Sequence, residues 1–468
     1  MAVAIARCLE KSKTQAMKTL IDKKMISNRK LGHLEQVMEK VNSHAKTWNI
    51  VTISRIKGPL SAEIIRQALD IIQLRHTRLN SRIIYSKNGL RFQTEGTTKI
   101  PLRVVKHFHD QQWQEVVREE MNQEIDSSKC LLRAVLVNIQ SDSHVNYLII
   151  TGHHAVGDGL SSIRLQSEIL TYCEKIVAGD LNNSVVSLLP LPSIEELLPP
   201  ETKGLKGKIV STLFFLQVAF KKLFYPPETL NFEKYAPISK RRCDIVHRQL
   251  DQKVTQQLIH RCRQEKTTVN SALCAAMMFA VASKIKKGNR KKIRMNCLTA
   301  IDLRKRLETK INEHHMAVLV SSIMGSYTIK TNTSFWELAR EVKQTIETSI
   351  QRGDIFKTIL VSRHMINFCL AYPKQLAATV LLSNIGKVNI PNNYGEFELE
   401  EISFTSSQSL YAGMLTSHTA TFRGKMLLNF VFSEPSISRD KMEELVNNCM
   451  LYILHVCQFK VEQNLTSV

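Results

Sequence analysis

Two adjacent histidines, His153 and His154, begin the segment HHAVGDG, which also contains Asp158 and Gly159. A histidine that faces a cleft can take up and return a proton near neutral pH, as a general base must. The carboxylate of Asp158 can touch the imidazole or brace the turn through an ion pair with an arginine. A glycine permits close backbone approach, and its N–H at a helix start can face a developing oxyanion. The segment therefore predicts general-base chemistry.

A metal site is a second interpretation of these histidines. Zinc needs several ligands at spacings, such as HxxxH or CxxC, that let the side chains converge. Side chains of adjacent residues at the end of a strand point to opposite faces, and His314 and His315 are likewise only an adjacent pair. We therefore expect no metal site, and we expect one histidine of the motif to face a cleft while the other is buried.

The histidine pair stands where a strand is predicted to end and a helix to begin. Residues 131–139 and 145–151 are rich in β-branched and apolar types, and the turn-like QSDSH between them predicts a hairpin. Apolar residues recur at helical spacing after Gly159. A further strand is predicted at 51–56, and Ser61 is a candidate N-cap for the helix that follows.

The chain divides into two halves of similar α/β content. The second half is predicted to have strands at 244–250 and 292–301 with helices between them. With 468 residues, the chain is too long for one simple core. We predict an α/β chain with an N-terminal extension at 1–28, a first domain at 29–185, a proline-rich linker or crossover at 186–240, and a second domain at 241–468.

The charge balance is strongly basic, with 64 Lys and Arg against 42 Asp and Glu, a net charge of +22. This excess favours anionic partners, among them a carrier protein, a membrane face or a phosphate-bearing cosubstrate, unless it serves solubility alone. No nucleic acid is expected, because zinc-finger, helix-turn-helix and RNP-type signatures are absent. Ten scattered cysteines without a CxxC pair, and no secretory signal, predict a cytoplasmic protein.

Residues 209–224, IVSTLFFLQVAFKKLF, form an apolar run within the predicted linker. Gln217 and the pair Lys221 and Lys222 interrupt the run, which is too short and too polar for a transmembrane helix. Two interpretations stay open. One is a crossover helix packed on the protein, and the other is a peripheral contact with a membrane surface.

The HHAVGDG segment resembles the HHxxxDG signature of the chloramphenicol acetyltransferase-like superfamily, which includes condensation domains, polyketide-associated acyltransferases and alcohol acetyltransferases. Segments similar to other family elements are IIQLRHTRLNSRI (71–83), AIDLRKRL (300–307), LLSNIGKV (381–388) and TFRGKMLLNFVFSEPSISRDKMEEL (421–445). The similarity spans roughly residues 30–457. The DFGWG motif of the plant branch is not found, and the resemblance is nearest to the alcohol acetyltransferase and polyketide-associated group.

The resemblance implies two chloramphenicol acetyltransferase-like subdomains that form a pseudo-dimer with a tunnel at their interface. It implies that His154 is the general base and that His153 supports the site structurally. Asp158 would brace the loop by an ion pair with Arg304, while Gly159 would leave room for substrates and donate to the oxyanion. Candidates to line the tunnel are Ser383, Asn384 and Gly386.

The activity implied by the resemblance is that of an O-acyltransferase with no bound cofactor. An acyl group would pass directly from acyl-CoA, or from the phosphopantetheine arm of an acyl carrier protein, to a small-molecule alcohol, without an acyl-enzyme. Two alternatives stay open. The acceptor could be an amine, as in an amide-forming condensation enzyme, or the chain could be a non-catalytic carrier-docking module of the same fold.

Overall fold

The computed structural model describes residues 28–46, 48–142, 144–180, 185–285, 292–376 and 378–458. The predicted N-terminal extension at 1–28 lies outside these ranges, apart from Asn28. Among the described cysteines none is paired in a disulfide, and all but Cys369 are buried.

Both halves of the chain contain strands and helices. The first half contains α1 (His33–Ala45), β1 (Ile50–Lys57), α2 (Ala62–Arg75), β2 (Arg82–Ser86), β3 (Gly89–Gln93), β4 (Leu102–His107), α3 (Trp113–Asn122), β5 (Leu132–Ile139), β6 (Val145–Gly152), α4 (Gly159–Val177), α5 (Ile194–Leu197) and α6 (Gly204–Phe224). The second half contains β7 (Arg242–Leu250), α7 (Gln252–Gln264), α8 (Val269–Ile285), β8 (Lys292–Asp302), β9 (Val320–Lys330), α9 (Phe335–Gln351), α10 (Asp354–Ala371), β10 (Val380–Lys387), β11 (Asn393–Tyr394), β12 (Phe397–Ser406), β13 (Leu415–Phe422), β14 (Lys425–Glu434) and α11 (Arg439–Gln458).

Two six-stranded sheets form the centres of two lobes. The strand order is β11-β12-β1-β6-β5-β4 in the first sheet and β7-β14-β13-β10-β8-β9 in the second, and β2 pairs with β3 in a separate hairpin. Pairing is parallel between β4 and β5, between β8 and β10 and between β10 and β13, and antiparallel elsewhere. The predicted two-lobed α/β fold is confirmed, and the hairpin at 131–151 is β5 and β6.

One strand of the second half belongs to the first sheet. β12 pairs antiparallel with β1, so that Ser406 lies opposite Ile50 and Ser403 lies opposite Ile53. The predicted second domain at 241–468 therefore supplies part of the first lobe, and one cut in the sequence does not separate the sheets. The local pattern of β12 predicts a strand but carries no information on its partner, which is more than 300 residues away.

α4 is held in place by packing against α2 and β6, and it begins at its N-cap Asp158, whose side chain accepts from the Ser161 N–H. α2 and α4 lie side by side and bury Ile65, Ile72, Ile163 and Leu170 in one core with β6. Ser61 caps α2 as predicted, because its Oγ accepts a hydrogen bond from the Ile64 N–H at 3.3 Å. Together these contacts fix the junction of β6 and α4, where the histidines lie.

No single helix of the described residues has the length and apolar composition needed to cross a membrane. The bent pair α7 and α8 passes such a test only when the two helices are taken together, and α8 is largely buried. The apolar run at 209–224 lies within α6.

Candidate active site

The motif occupies the turn between the end of β6 at Gly152 and the start of α4 at Gly159. The two histidines have different surroundings. His153 is buried, whereas His154 is partly exposed and lines a cavity between the lobes. This difference follows from the alternation of side chains at a strand end.

His153 attaches the motif to α1. Its Nδ1 accepts a hydrogen bond from the Ala155 N–H at 3.0 Å, so the neutral ring carries its proton on Nε2. That Nε2 lies 3.0 Å from Oε2 of Glu39, within ion-pair distance but without hydrogen-bond geometry. The other carboxylate oxygen of Glu39 accepts from the Ser127 hydroxyl at 2.9 Å. His153 is thus placed for structural support.

His154 is held in the tautomer that a general base requires. Its Nδ1 lies 2.9 Å from the Gly157 carbonyl oxygen, which can only accept, so Nδ1 carries the proton. No described group hydrogen-bonds to Nε2, whose lone pair is therefore available. Burial lowers the pKa of His154, and the backbone hydrogen bonds and the charge of Asp158 oppose this lowering only in part. The neutral form of the ring is therefore favoured at pH 7.

Asp158 connects α4 to the second half of the chain. Its Oδ1 accepts from the Ser161 N–H and from Nη2 of Arg304, each at 2.9 Å, and its Oδ2 accepts from the Leu319 N–H at 2.9 Å. Burial disfavours the charged carboxylate, but Arg304 and the backbone donors outweigh burial and hold the pKa of Asp158 below its usual value. Asp158 makes no hydrogen bond to His154, so it braces the turn.

Arg304 is shared between two carboxylates. Besides Asp158, it donates from Nη1 to Oδ1 of Asp302 at 2.8 Å, and from Nη2 to the Ser161 hydroxyl at 2.7 Å. The partner of Asp158 expected from the family resemblance is therefore the residue that lies beside it.

The missing side chain of Gly159 admits a neighbouring aromatic ring. A Cβ at this position would lie 2.5 Å from Cε2 of Phe404, a buried ring of β12. Gly159 also lines the cavity beside His154, and the expectation that it leaves room for substrates stays a prediction. The Gly159 N–H lies in the first turn of α4, where backbone donors have no intrahelical acceptor.

The cavity beside His154 has a volume of about 350 Å³ and is lined by both halves of the chain. Most of its lining is apolar and includes Met38, Trp48, Leu298, Met324, Ile359 and Phe404. Such a lining with few polar groups is typical of a small-molecule site. A separate surface pocket of about 380 Å³ beside α4 is lined by charged side chains and contains no motif residue, so it is not the candidate active site.

The three tunnel candidates on β10 divide into two kinds. Ser383 and Asn384 line the cavity, but Gly386 does not. Gly386 has a positive φ of 72°, and its N–H donates to Oδ1 of Asn384 at 2.9 Å. Gly386 thus shapes the backbone turn beside Asn384, and its role in the tunnel stays a prediction.

Several cavity residues were not predicted from the sequence. Trp48 stands edge-on to His154, with ring centroids 6.2 Å apart, and also contacts Tyr411. His418 lies opposite β12, where its Nε2 is 2.9 Å from the Ser406 hydroxyl, and burial lowers its pKa to about 3. No local signal marks these residues, because long-range strand pairing brings them to the site. Within the described ranges, no group of three or more His, Cys, Asp or Glu side chains could hold a metal ion.

Two family models match successive parts of the chain. Residues 36–184 match the condensation domain, and residues 239–433 match the phthiocerol/phthiodiolone dimycocerosyl transferase C-terminus. The first match contains the HHAVGDG segment, and the second contains Arg304 and the cavity strand β10. The chain belongs to the condensation-domain and chloramphenicol acetyltransferase-like acyltransferases.

Relatives of this chain include a probable alcohol acetyltransferase, FCK4, of Fusarium pseudograminearum, which is 25% identical over 331 residues. That match covers 66% of each protein, so it spans just under two thirds of the relative's length. Similar folds are the TRI3 trichothecene 15-O-acetyltransferase of Fusarium sporotrichioides (TM-score 0.71, 13% identity, 92% of this chain and 95% of that one) and polyketide synthase associated protein 5 of Mycobacterium tuberculosis (TM-score 0.67, 17% identity, 92% and 97%).

Proposed function

We propose that this protein transfers an acyl group from a thioester to an alcohol, with His154 as the general base. The observation that carries the proposal is the tautomer of His154, whose Nδ1–H is fixed on the Gly157 carbonyl while the basic Nε2 is free beside the cavity. A neutral imidazole with a lowered pKa is in its proton-accepting form at pH 7.

Direct transfer requires one general base and no covalent enzyme intermediate. Nε2 of His154 takes the proton of the acceptor hydroxyl as its oxygen attacks the thioester carbonyl carbon. The new C–O bond forms, the C–S bond breaks, and the imidazolium returns the proton to the leaving thiolate. Asp158 and Arg304 keep the turn in place without touching the reacting atoms.

The donor we propose is acyl-CoA or an acyl group on the phosphopantetheine arm of a carrier protein. Both carry phosphate, which suits a chain with a net charge of +22. Transfer to an alcohol is supported by the probable alcohol acetyltransferase among the relatives. Amide formation on an amine is the second candidate, favoured by the condensation-domain match over residues 36–184.

The test measures thiol release from acyl-CoAs of increasing chain length, with and without a mixed set of alcohols and amines. His154→Ala removes the base. His315→Ala is the matched control, because His315 is also partly exposed and also places its Nδ1 beside a backbone carbonyl three residues away in the sequence, that of Asn312 at 3.2 Å, but it does not line the cavity.

Acceptor-dependent thiol release that His154→Ala abolishes and His315→Ala retains is the expected result. The acceptor that reacts then decides between ester and amide. Release that survives His154→Ala contradicts the proposed base. The same assay with acyl carrier protein donors follows, and no transfer from either donor class would favour a non-catalytic docking module.

A further inference from the structure

α6 has an apolar face that the rest of the protein leaves exposed. Seven large apolar side chains of this helix are between 54% and 76% exposed: Leu205, Ile209, Leu213, Leu216, Phe220, Leu223 and Phe224. With 3.6 residues per turn, all seven fall within an arc of about 100°. We call this set the apolar arc. An exposed stripe of this kind is unusual on a protein surface and marks an interaction site.

The opposite face of α6 packs on α10. The Phe215 ring lies 5.5 Å from the His364 ring, and Nζ of Lys357 lies 5.9 Å from the centroid of Phe214. The helix is therefore docked on the protein through one apolar face, and the apolar arc is a second one. On α10, Ile359 and Ile366 line the cavity beside His154, so a single helix separates that cavity from α6.

The charged residues of α6 itself have one sign. No Asp or Glu occurs between residues 203 and 224, whereas lysines occur at 206, 208, 221 and 222. Around the helix axis, Lys208 lies on one side of the apolar arc, and Lys206 and Lys221 lie on the other. An apolar stripe bordered by lysines has the composition of a helix that lies in the plane of an anionic membrane surface.

We propose that α6 binds the surface of an anionic lipid bilayer through its apolar arc. The lysines would contact lipid phosphates while the arc enters the boundary between headgroups and acyl chains. A second copy of this chain is a poorer occupant, because a two-fold contact through the arc would bring lysines against lysines with no acidic residue of α6 to pair with them. The proposal goes beyond acyl transfer and does not depend on it.

The experiment is flotation of the full-length protein with vesicles, either pure phosphatidylcholine or equal parts of phosphatidylcholine and phosphatidylserine. One variant, Leu213→Ser/Leu216→Ser/Phe220→Ser, removes the centre of the apolar arc. A second, Lys206→Gln/Lys208→Gln/Lys221→Gln, removes the flanking charge. The matched control, Leu74→Ser/Tyr85→Ser/Leu451→Ser, changes three side chains outside α6 that are 62% to 78% exposed. Circular dichroism and thermal unfolding verify that each variant is folded.

We expect the wild type and the control to float with the anionic vesicles. The partition coefficient should fall at least about tenfold in the serine variant, because binding scales with the apolar area buried. In the glutamine variant, the partition coefficient should fall by about fivefold for each lysine removed. For the wild type, it should fall with added salt. Failure of the wild type to float, or flotation of the serine variant equal to wild type, overturns the proposal. Self-association in solution that the serine variant abolishes, without flotation of the wild type, would instead assign the arc to a second copy.

Discussion

Arg304→Ala removes the cation that neutralises Asp158 between the two lobes. The side chains are only 8% and 5% exposed, so the carboxylate left behind stays in a poorly solvated place. Removing one partner of such a buried pair costs about 3–5 kcal/mol of unfolding free energy. We expect the lower end, about 3 kcal/mol, because the N–H groups of Ser161 and Leu319 still donate to the carboxylate.

Asp158→Asn should cost less than Arg304→Ala. Without Asp158, Arg304 keeps its bond to Asp302 at 2.8 Å, whereas Asp158 has no other salt-bridge partner among the described residues. In the variant, the NH₂ group of the asparagine must face a hydrogen-bond donor where a carboxylate oxygen accepted before. We therefore expect a loss of about 2 kcal/mol of unfolding free energy. Each single substitution already breaks the ion pair between Asp158 and Arg304, so the double variant Asp158→Asn/Arg304→Ala loses that pair only once. The double variant should therefore be destabilised by less than the sum of the single variants.

Urea unfolding followed by tryptophan fluorescence measures these free energies. Arg423→Ala, which breaks an exposed pair with Glu398, is the matched control and should cost less than about 1 kcal/mol. Additivity of the Asp158 and Arg304 losses within about 0.5 kcal/mol would refute the reasoning.

Because the folded-state pKa of Asp158 is depressed, its contribution to stability is present above the unfolded pKa of about 3.9 and is lost as the pH falls through the folded value. The difference in unfolding free energy between the wild type and Asp158→Asn should therefore become smaller in acid.

Four further predictions concern the turn and its neighbours. Gly159→Ala forces its Cβ against the Phe404 ring and should lower the unfolding free energy by about 1–3 kcal/mol, and Phe404→Leu in the same chain should recover part of the loss in urea unfolding. His154→Ala should reduce acyl transfer about 100- to 10,000-fold. Since burial lowers the pKa of His154, the acidic limb of the wild-type rate profile should lie below pH ~6.5, and a limb above that value would contradict the assignment. Ser61→Ala should cost about 1 kcal/mol in thermal unfolding, because the Ile64 N–H loses its cap.

Local patterns in the sequence predict the junction of β6 and α4 well. The hairpin at 131–151, the cap at Ser61 and the helix after Gly159 each depend on residues close together in the chain, and the structure has all three. The ion pair of Asp158 with Arg304 spans 146 residues, and only the family resemblance indicated it.

Two elements that line the cavity could not be predicted in the same way. α10 was not predicted as a helix, because its apolar residues face both the cavity and α6 and so do not form a single stripe. The local pattern of β12 predicts a strand but not its partner, and the pairing of β12 with β1 is what brings Phe404 to Gly159. Long-range pairing of this kind leaves no trace in a local pattern.

The contacts of the motif divide its residues between assembly and chemistry. His153 is tied to Glu39 of α1, Asp158 to Arg304 and Leu319 of the second half, and Gly159 accommodates a ring from the strand that crosses between lobes. Of the motif residues, all of which the structure describes, only His154 presents an unpaired basic atom beside the cavity. The three supporting residues can therefore be essential without touching a substrate. Their replacement should impair stability and activity together, whereas replacement of His154 should impair activity alone.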